Sequence, residues 1–253
     1  MSNKNKILSN EKFFDTAAEY YDSMINFEMG LKRKSSALKS FVDNRMKTAA
    51  DLGCGTGLDS ISLSMNGLAV SGFDISQKMI KQARKNAKVF NTKIIFQQYS
   101  IDKIPTSFNN KFDFVTSLGN TLANLEETLL IKALKRIYRI LKPGGKALFQ
   151  ILNYDLVLSK GERIVKISSD ENYNMIRFYD FFDDHLNFNI LSYPKSGIEK
   201  HKLITTKIYP HKSTNFKKYL ETAGFSQIQF FGNLNKKPFN KESSTDLVIS
   251  TYK

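Results

Sequence analysis

The stretch Ala50-Asp51-Leu52-Gly53-Cys54-Gly55-Thr56-Gly57 stands between an apolar run, Thr48 to Leu52, and a segment that puts Leu58, Ile61 and Met65 on one helical face. It reads as a strand turning through glycines into a helix over Gly57 to Met65. Glycines at such a junction let the backbone turn sharply and let a ligand approach with no Cβ in the way. Their spacing departs from the dinucleotide pattern G-x-G-x-x-G, because Leu58 stands where the third glycine would fall. That disfavours a NAD-binding oxidoreductase, whose loop aims a helix N-terminus at a pyrophosphate.

Outward from the loop, strand and helix signals alternate. Leu68 to Phe73 reads as a strand, and Ser76 caps a helix to about Phe90 with Met79, Ile80, Ala83 and Ala87 inward. Lys93 to Gln98 and Phe112 to Ser117 read as strands. Glu126 to Leu141 is a helix whose core stripe is Leu130, Ala133, Leu134, Ile137 and Leu141. Lys142-Pro143-Gly144-Gly145 predicts a turn that ends it, and Lys146 to Leu152 the next strand. The alternation predicts an α/β fold, a doubly wound, mostly parallel sheet wrapped by helices.

The flanks differ. Residues 1–45 read as a helical cap, with Phe13, Phe14, Ala17, Ala18 and Tyr21 on one helix and Leu31, Ala37, Leu38 and Phe41 on a second. Between residues 160 and 209 the segments 164–167, 175–182, 186–191 and 202–208 look like antiparallel strands with no strong helix between them. We read them as an insertion over the ligand edge of the sheet, a lid on the substrate. A helix at 214–223 and strands at 225–231 and 246–251 complete seven strands of one domain spanning 1–253.

Asp74 ends the second strand, where an acidic residue in such folds takes both ribose hydroxyls. A carboxylate accepts two hydroxyl donors at once, which neutral side chains cannot match. Cys54 is packed between glycines with no partner histidine evident, so it reads as a small loop residue rather than a nucleophile.

Composition narrows the class. Hydrophobic residues make up 41% of the chain, yet no apolar run approaches the roughly 20 residues a membrane helix needs. No membrane association is expected. Met1 to Asn10 lacks the apolar stretch of a signal peptide, and the lone cysteine cannot form an internal disulfide, so a reducing cytoplasm is the expected compartment. The formal charge of +14 fits either an anionic partner, nucleic acid included, or a lysine-rich solvated surface. The lysines are spread along helices (Lys78, Lys81, Lys85 and Lys88 in one; Lys132, Lys135 and Arg136 in another) with no compact basic block. His185, His201 and His211 lack metal-ligand spacing, and no metal is expected.

Taken together, Asp51 to Gly57, Asp74, Phe112-Asp113-Phe114-Val115 and Leu141-Lys142-Pro143-Gly144-Gly145 resemble the motifs of class I S-adenosylmethionine-dependent methyltransferases, over roughly residues 45 to 152. A narrower likeness runs further. Cys54 to Ser60, Ser117-Leu118-Gly119-Asn120-Thr121-Leu122-Ala123-Asn124-Leu125, Asn153-Tyr154-Asp155 and Tyr209-Pro210-His211 are similar to the glycine/sarcosine N-methyltransferase group. The resemblance implies S-adenosylmethionine as cofactor, S-adenosylhomocysteine as product and a Rossmann-like methyltransferase fold. It implies that Asp51, Gly53, Cys54 and Gly55 meet the methionine part and that Asp74 holds the ribose. Ile75 and Met79 line the adenine, Ser100 and Ile101 flank its edge, and Leu118 and Gly119 lie beside the sulfonium. Ser100 departs from the Asp or Asn usual there, and Asn124 replaces a histidine. A larger departure is Leu152, where glycine methyltransferases carry an arginine that clamps the amino-acid carboxylate. Its loss argues against free glycine unless Arg33, Arg163 or Arg177 substitutes.

Methyl transfer from a sulfonium is an in-line displacement with a neutral leaving group, so alignment and exclusion of water carry much of the catalysis. Asn120 is the candidate to orient the acceptor through its side-chain oxygen, and Tyr21, or its neighbour Tyr20, to close over the site. The leading expectation is N-methylation of a small molecule. The alternatives are an RNA or protein methyltransferase and a non-catalytic S-adenosylmethionine-binding regulator. N6-adenine and glutamine methyltransferases usually carry an Asn/Asp-Pro-Pro-aromatic loop, and Leu118-Gly119-Asn120-Thr121 has no proline.

Overall fold

The computed structural model describes residues 7–169, 172–196 and 201–253. Residues 1–6 of the expected cap, and 170–171 and 197–200 of the expected insertion, lie outside the described residues.

The N-terminal segment forms three helices rather than two: α1 (Asn10–Ala17), α2 (Tyr21–Ile25) and α3 (Phe27–Lys39). The break between α2 and α3 falls at Asn26, whose left-handed backbone (φ 52°) interrupts the helical path. The alternating core follows: β1 (Thr48–Leu52), α4 (Leu58–Met65), β2 (Ala69–Asp74), α5 (Gln77–Val89), β3 (Ile95–Gln98), β4 (Phe112–Ser117), α6 (Glu127–Ile140) and β5 (Leu141–Leu152). The turn expected at 142–145 is absorbed into β5. Its pairing with β4 shifts register between Phe112 and Phe114, so the prolyl-glycine stretch is a bulged strand start. A short helix that the sequence pattern did not predict, α7 (Tyr154–Lys160), follows β5. The chain then runs through β6 (Ile164–Ser169), β7 (Tyr173–Phe181), β8 (Leu186–Pro194), β9 (Lys202–Ile208), α8 (Ser213–Ala223), β10 (Ser226–Phe231) and β11 (Asp246–Tyr252).

The main sheet has seven strands in the order β10-β11-β5-β4-β1-β2-β3. β1 to β5 are parallel to their neighbours, and β11 and β10 add antiparallel at one side. The doubly wound, mostly parallel α/β class read from the sequence is therefore borne out. Strand order reverses between β1 and β4, which opens a crevice beyond their C-terminal ends. One face of the sheet packs on α6 and α8 through a core that includes Phe73, Leu134, Ile137, Phe149 and Phe216. The other packs on the α3 and α4 side through Leu38, Leu63, Phe114 and Leu148.

β6 to β9 form a separate four-stranded antiparallel sheet. Its partner is α1: Phe13 is fully buried and packs with Met175, Ile190 and Ile204. Burying one such ring is worth about 2 kcal/mol. Polar ties fix the arrangement. The Leu8 amide donates to the Thr205 carbonyl at 2.8 Å, the Thr206 hydroxyl to Asn10 Oδ1 at 2.7 Å, and Asn10 Nδ2 to the Asn124 carbonyl at 2.8 Å. At the far side of α1, Asp15 accepts from the hydroxyl of Ser76, the residue that caps α5.

One carboxylate pins the opposite end of the sheet. Asp113 Oδ2 accepts from the amides of Lys47 and Thr48 at 3.0 and 2.9 Å, and Oδ1 pairs with Lys142 at 2.7 Å. Burial pushes its pKa up, but Lys142 and the two amides outweigh that and hold it well below the usual carboxylate range. A carboxyl depressed in the folded state adds stability above its unfolded pKa, and that stability is lost as pH falls through the folded value. Asp113→Ala is expected to cost about 2 kcal/mol at neutral pH. The difference from wild type should shrink as denaturation is measured at increasingly acid pH.

Candidate functional site

The glycine loop is held by the end of the neighbouring strand. The amides of Gly53 and Cys54 both donate to the Phe73 carbonyl, at 2.7 and 3.0 Å, and the Gly55 amide donates to Asp74 Oδ2 at 2.8 Å. Gly53 sits at φ 70°, where a Cβ would lie 2.2 Å from Thr121 Cγ2, so the loop from β1 and the loop after β4 interlock only through a glycine. Gly55, also at positive φ, has open space instead: a Cβ there would meet only the Tyr21 ring, at 3.9 Å.

These loops open into a cavity of about 420 Å³ at the C-terminal ends of β1, β2, β4 and β5. Gly53, Gly55, Asp74, Ile75, Met79, Ser100, Ile101, Gly119, Asn120 and Tyr21 all line it. Three expected contacts do not. Asp51 is buried below the loop, accepting from Ser60 Oγ at 2.6 Å and Thr116 Oγ1 at 3.1 Å, so it braces β1 against α4 and β4. Cys54 packs with Phe27, Leu31 and Leu58, and burial, then Asp74, pushes its thiol pKa up, so it stays protonated and unreactive. Leu118 points into the core on the α3 side with Leu38 and Phe114. Asp51 lies near the end of β1, and Cys54 and Leu118 lie in the loops that follow β1 and β4, where successive side chains turn to different surroundings.

Asn120 lines the cavity, but its amide is already engaged. Oδ1 accepts from the Leu152 amide at 3.0 Å, and Nδ2 lies 2.9 Å from the Tyr154 hydroxyl. The Asn153-Tyr154-Asp155 motif is thus a set of braces. Asn153 holds the Lys241 and Ser244 carbonyls, Tyr154 holds Asn120, and Asp155 accepts from Ser213 at the start of α8. Tyr209 and His211 hold the other side of the same loop, the Tyr209 amide donating to Ala123 and His211 Nε2 lying 2.7 Å from the Leu125 carbonyl. Burial lowers the pKa of His211 and keeps it neutral. His185 stacks on Phe182 and His201 is exposed; among the described residues no histidine lines the cavity.

The rest of the lining comes from elements far apart in sequence. Phe13, Phe14, Met24 and Ile25 enter from the N-terminal helices, and Val165, Arg177, Tyr179, Phe188, Ile190 and Ile208 from the antiparallel sheet. On β7 the inward residues are Met175, Arg177 and Tyr179; Phe178 belongs to the opposite face, and Tyr173 sits at the exposed strand end. Asp246, at the start of β11 and paired in register with Leu152, also lines the cavity. The sequence reading missed Phe13, Tyr99, Gln150 and Asp246 as site residues. No local motif marks them; the acidic residue at the edge of a C-terminal strand was the one available signal.

Charge in the cavity is sparse: Asp74, Arg177 and Asp246 are the charged residues lining it among the described residues. Asp74 is buried, which raises its pKa, while the amides of Ser76 and Gly55 oppose the rise. Its oxygens take the Gly55 and Ser76 amides, the Ile75 amide also opposes the rise, and lone-pair capacity remains for a further donor. Burial pushes the Tyr21 phenol up to about 12, with Asp74 adding to the rise, so it is a hydrogen-bond donor and not a base at neutral pH. The donor set suits S-adenosylmethionine. Gly55 and Gly119 leave backbone open where a Cβ would intrude, Asp74 offers a carboxylate to a diol, and among the described residues no cationic cradle for a pyrophosphate surrounds the loop.

Residues 49–145 match the family model described as a methyltransferase domain. Human glycine N-methyltransferase is 35% identical over 125 residues, 44% of this chain and 42% of that protein. The chain thus spans less than half the length of that relative. The glycine/sarcosine N-methyltransferase of Aphanothece halophytica is 24% identical over 89% of this chain and 84% of its own. Among solved structures, an S-adenosylmethionine-dependent methyltransferase from Clostridium acetobutylicum superposes with a TM-score of 0.79 at 21% identity, covering 94% of this chain and 98% of its own. The CcbJ methyltransferase of Streptomyces caelestis does so at 0.80 and 18%, covering 94% and 96%.

If Asp74 holds the ribose, Asp74→Ala should weaken S-adenosylmethionine binding by tenfold or more. Charge-assisted hydrogen bonds contribute about 1.5–3 kcal/mol each, and 1.4 kcal/mol is tenfold. Equal affinities by calorimetry would remove that role.

Proposed function

We propose that this chain, which carries a class I S-adenosylmethionine-dependent methyltransferase domain, methylates the nitrogen of a small molecule. The observation that carries this reading is the cavity itself: a roofed, mainly apolar chamber at the switch point of the sheet, with the cofactor-type loops on its floor. A chamber of this kind takes a small acceptor whole. In this reading the antiparallel sheet is the substrate lid and the N-terminal helices close the other side.

When bound, S-adenosylmethionine supplies a methyl group on a sulfonium, and transfer breaks the S–C bond as the acceptor nitrogen forms the new N–C bond. The chain's own contribution is placement and proton handling. Asn120 is a positioning residue here, because its oxygen is held by Leu152 and cannot swing freely toward an acceptor. Tyr21 covers Gly55 and excludes water. Asp246 is the one cavity carboxylate, among the described residues, not bound to the glycine loop. Burial raises its pKa, with a hydrogen bond from Gln150 opposing, which suits it to take the proton an amine releases.

The net charge does not favour a polynucleotide acceptor. Lys78, Lys81, Lys85 and Lys88 lie on the exposed face of α5, and Lys132 and Lys135 on that of α6. Arg136, grouped with them by sequence, is buried and donates to the Ile104 and Pro105 carbonyls. Within the chamber the single cation among the described residues is Arg177.

Transfer of label from methyl-labelled S-adenosylmethionine, screened over small amines, alcohols, RNA and protein, tests the reading. Label is expected in amines; label in RNA or protein instead would replace it, and cofactor binding with no transfer to any class would favour a regulator. Free glycine should be a poor acceptor, since Leu152 offers no clamp and one methylene leaves the apolar lining unfilled. Wild-type rates should fall as pH drops through a carboxyl pKa above the ordinary aspartate value. Asp246→Asn should abolish that limb and lower kcat roughly a hundredfold.

A further inference from the structure

Lys34 reaches further than a tie between two helices requires. It stands on α3 with Lys32, Arg33 and Lys39, which are exposed, yet its own side chain is only 17% exposed. Its ammonium faces both oxygens of Asp59 on α4, at 3.1 and 3.4 Å, and donates to Gln150 Oε1 on β5 at 3.2 Å. The pair with Asp59 alone would join α3 to α4. The bond to Gln150 carries the contact on to the cavity, which Gln150 and Asp246 both line and to which α3 lends no residue among those described. The Gln150 side chain hydrogen-bonds the Asp246 carboxyl on β11. Its backbone carbonyl accepts the Asn120 amide at 3.1 Å. One glutamine thus touches the cap helix, the loop after β4 and the cavity carboxylate.

The chemistry of an amide gives this chain of contacts a direction. An ammonium only donates, so it takes the oxygen of Gln150 and leaves the NH2 group to donate to Asp246. An ionised carboxylate accepts that bond; without Lys34, a turned amide would set its oxygen against the carboxylate. Three carboxyls from three other elements face this region: Asp51 on β1, Asp59 on α4 and Asp246 on β11. Burial pushes Asp51 and Asp246 up, and Asp59 pushes Asp51 further. Ser60 and Thr116 oppose the rise at Asp51, Gln150 and Thr245 oppose it at Asp246, and Lys34 opposes it at both. On the cavity side the charged groups are Asp74 and Arg177. We propose that Lys34 is a positioning residue for methyl transfer: through Gln150 it holds Asp246 ionised and fixed at the cavity wall. A helix outside the cavity then sets the proton acceptor within it. The part in transfer rests on the reading of Asp246 as proton acceptor; the coupling of Lys34 to Asp246 rests on the contacts alone.

The test follows the Asp246 carboxyl directly, by carbon NMR of the full chain labelled at its aspartate carboxyls, with the resonance assigned from Asp246→Asn. Lys34→Met and Gln150→Leu are each expected to raise its titration midpoint by about one pH unit, the order by which a close cation or a donated hydrogen bond lowers a carboxyl. Lys34→Arg keeps the charge and should restore most of the shift. Asp59→Asn should lower the midpoint, because a like charge is removed while Lys34 keeps Gln150. A mere tie between α3 and α4 predicts instead that Lys34→Met and Asp59→Asn act alike. Gln150→Leu leaves the Lys34–Asp59 pair in place, so it carries the test where Lys34→Met does not fold. Methyl transfer to the small amine most labelled in the screen should show the same shift. The acid limb of kcat is expected to move up in Lys34→Met and Gln150→Leu, with the rate returning to within about threefold of wild type at high pH, a rescue that damage to the fold would not give. If the midpoint moves as expected while Asp246→Asn transfers at the wild-type rate, the coupling stands and the proton-acceptor reading falls. Three results would overturn the proposal: a midpoint unchanged in both variants, equal shifts of one sign in Lys34→Met and Asp59→Asn, or a rise in Lys34→Met with none in Gln150→Leu. The last would leave a bare effect of charge with no route through Gln150.

Discussion

Everything at the cavity floor depends on a tie between two adjacent strand ends. The Phe73 carbonyl takes the amides of Gly53 and Cys54, and the next residue, Asp74, takes the amide of Gly55. One peptide therefore fixes the glycine loop, and the same tie aims the carboxylate that follows it. The loop can be held so closely only because Gly53 has no side chain to strike Thr121. That contact in turn sets the loop after β4, so three strand ends are placed by one set of short contacts.

The antiparallel side of the cavity is built on a different principle. The antiparallel sheet and α1 share an apolar cluster, and hydrogen bonds from residues 8 and 10 to residues 124, 205 and 206 stitch the two together. The cavity floor and the end of the antiparallel sheet meet at the loop 119–125, braced by Tyr154, Tyr209 and His211. On the proposed methyl-transfer reading, a chamber lined this way would shield an aligned donor and acceptor from water. It also makes each charged group inside it consequential, since charges in such surroundings interact more strongly than in water.

The fold was largely legible in the sequence. Alternating strand and helix periods located β1 to β5, and antiparallel strands at 164–208 were legible as β-rich segments without helical spacing. The misses have physical reasons. The 142–145 turn became part of a bulged strand because β5 pairs with Phe112 before it pairs with Phe114. The helix α7 escaped notice because seven residues are too few for a clear helical period. The cap split at Asn26 because asparagine tolerates the left-handed conformation that no pattern of apolar residues reveals.

At the site, the sequence by itself determined what adjacency along the chain can encode: the glycine loop, the acid one strand later, and the Gly119-Asn120 turn. Each lies at a strand end, and parallel strands put their ends at one edge. Only the tertiary structure decided which side chains face the cavity. Asp51, Cys54 and Leu118 are neighbours in sequence of lining residues, yet they turn away, because alternation and loop geometry send consecutive side chains to different surroundings. The converse holds for Arg177, Asp246 and Phe13. They come from a strand of the antiparallel sheet, the last strand of the main sheet and the first helix, and their convergence follows from packing between elements that share no local pattern.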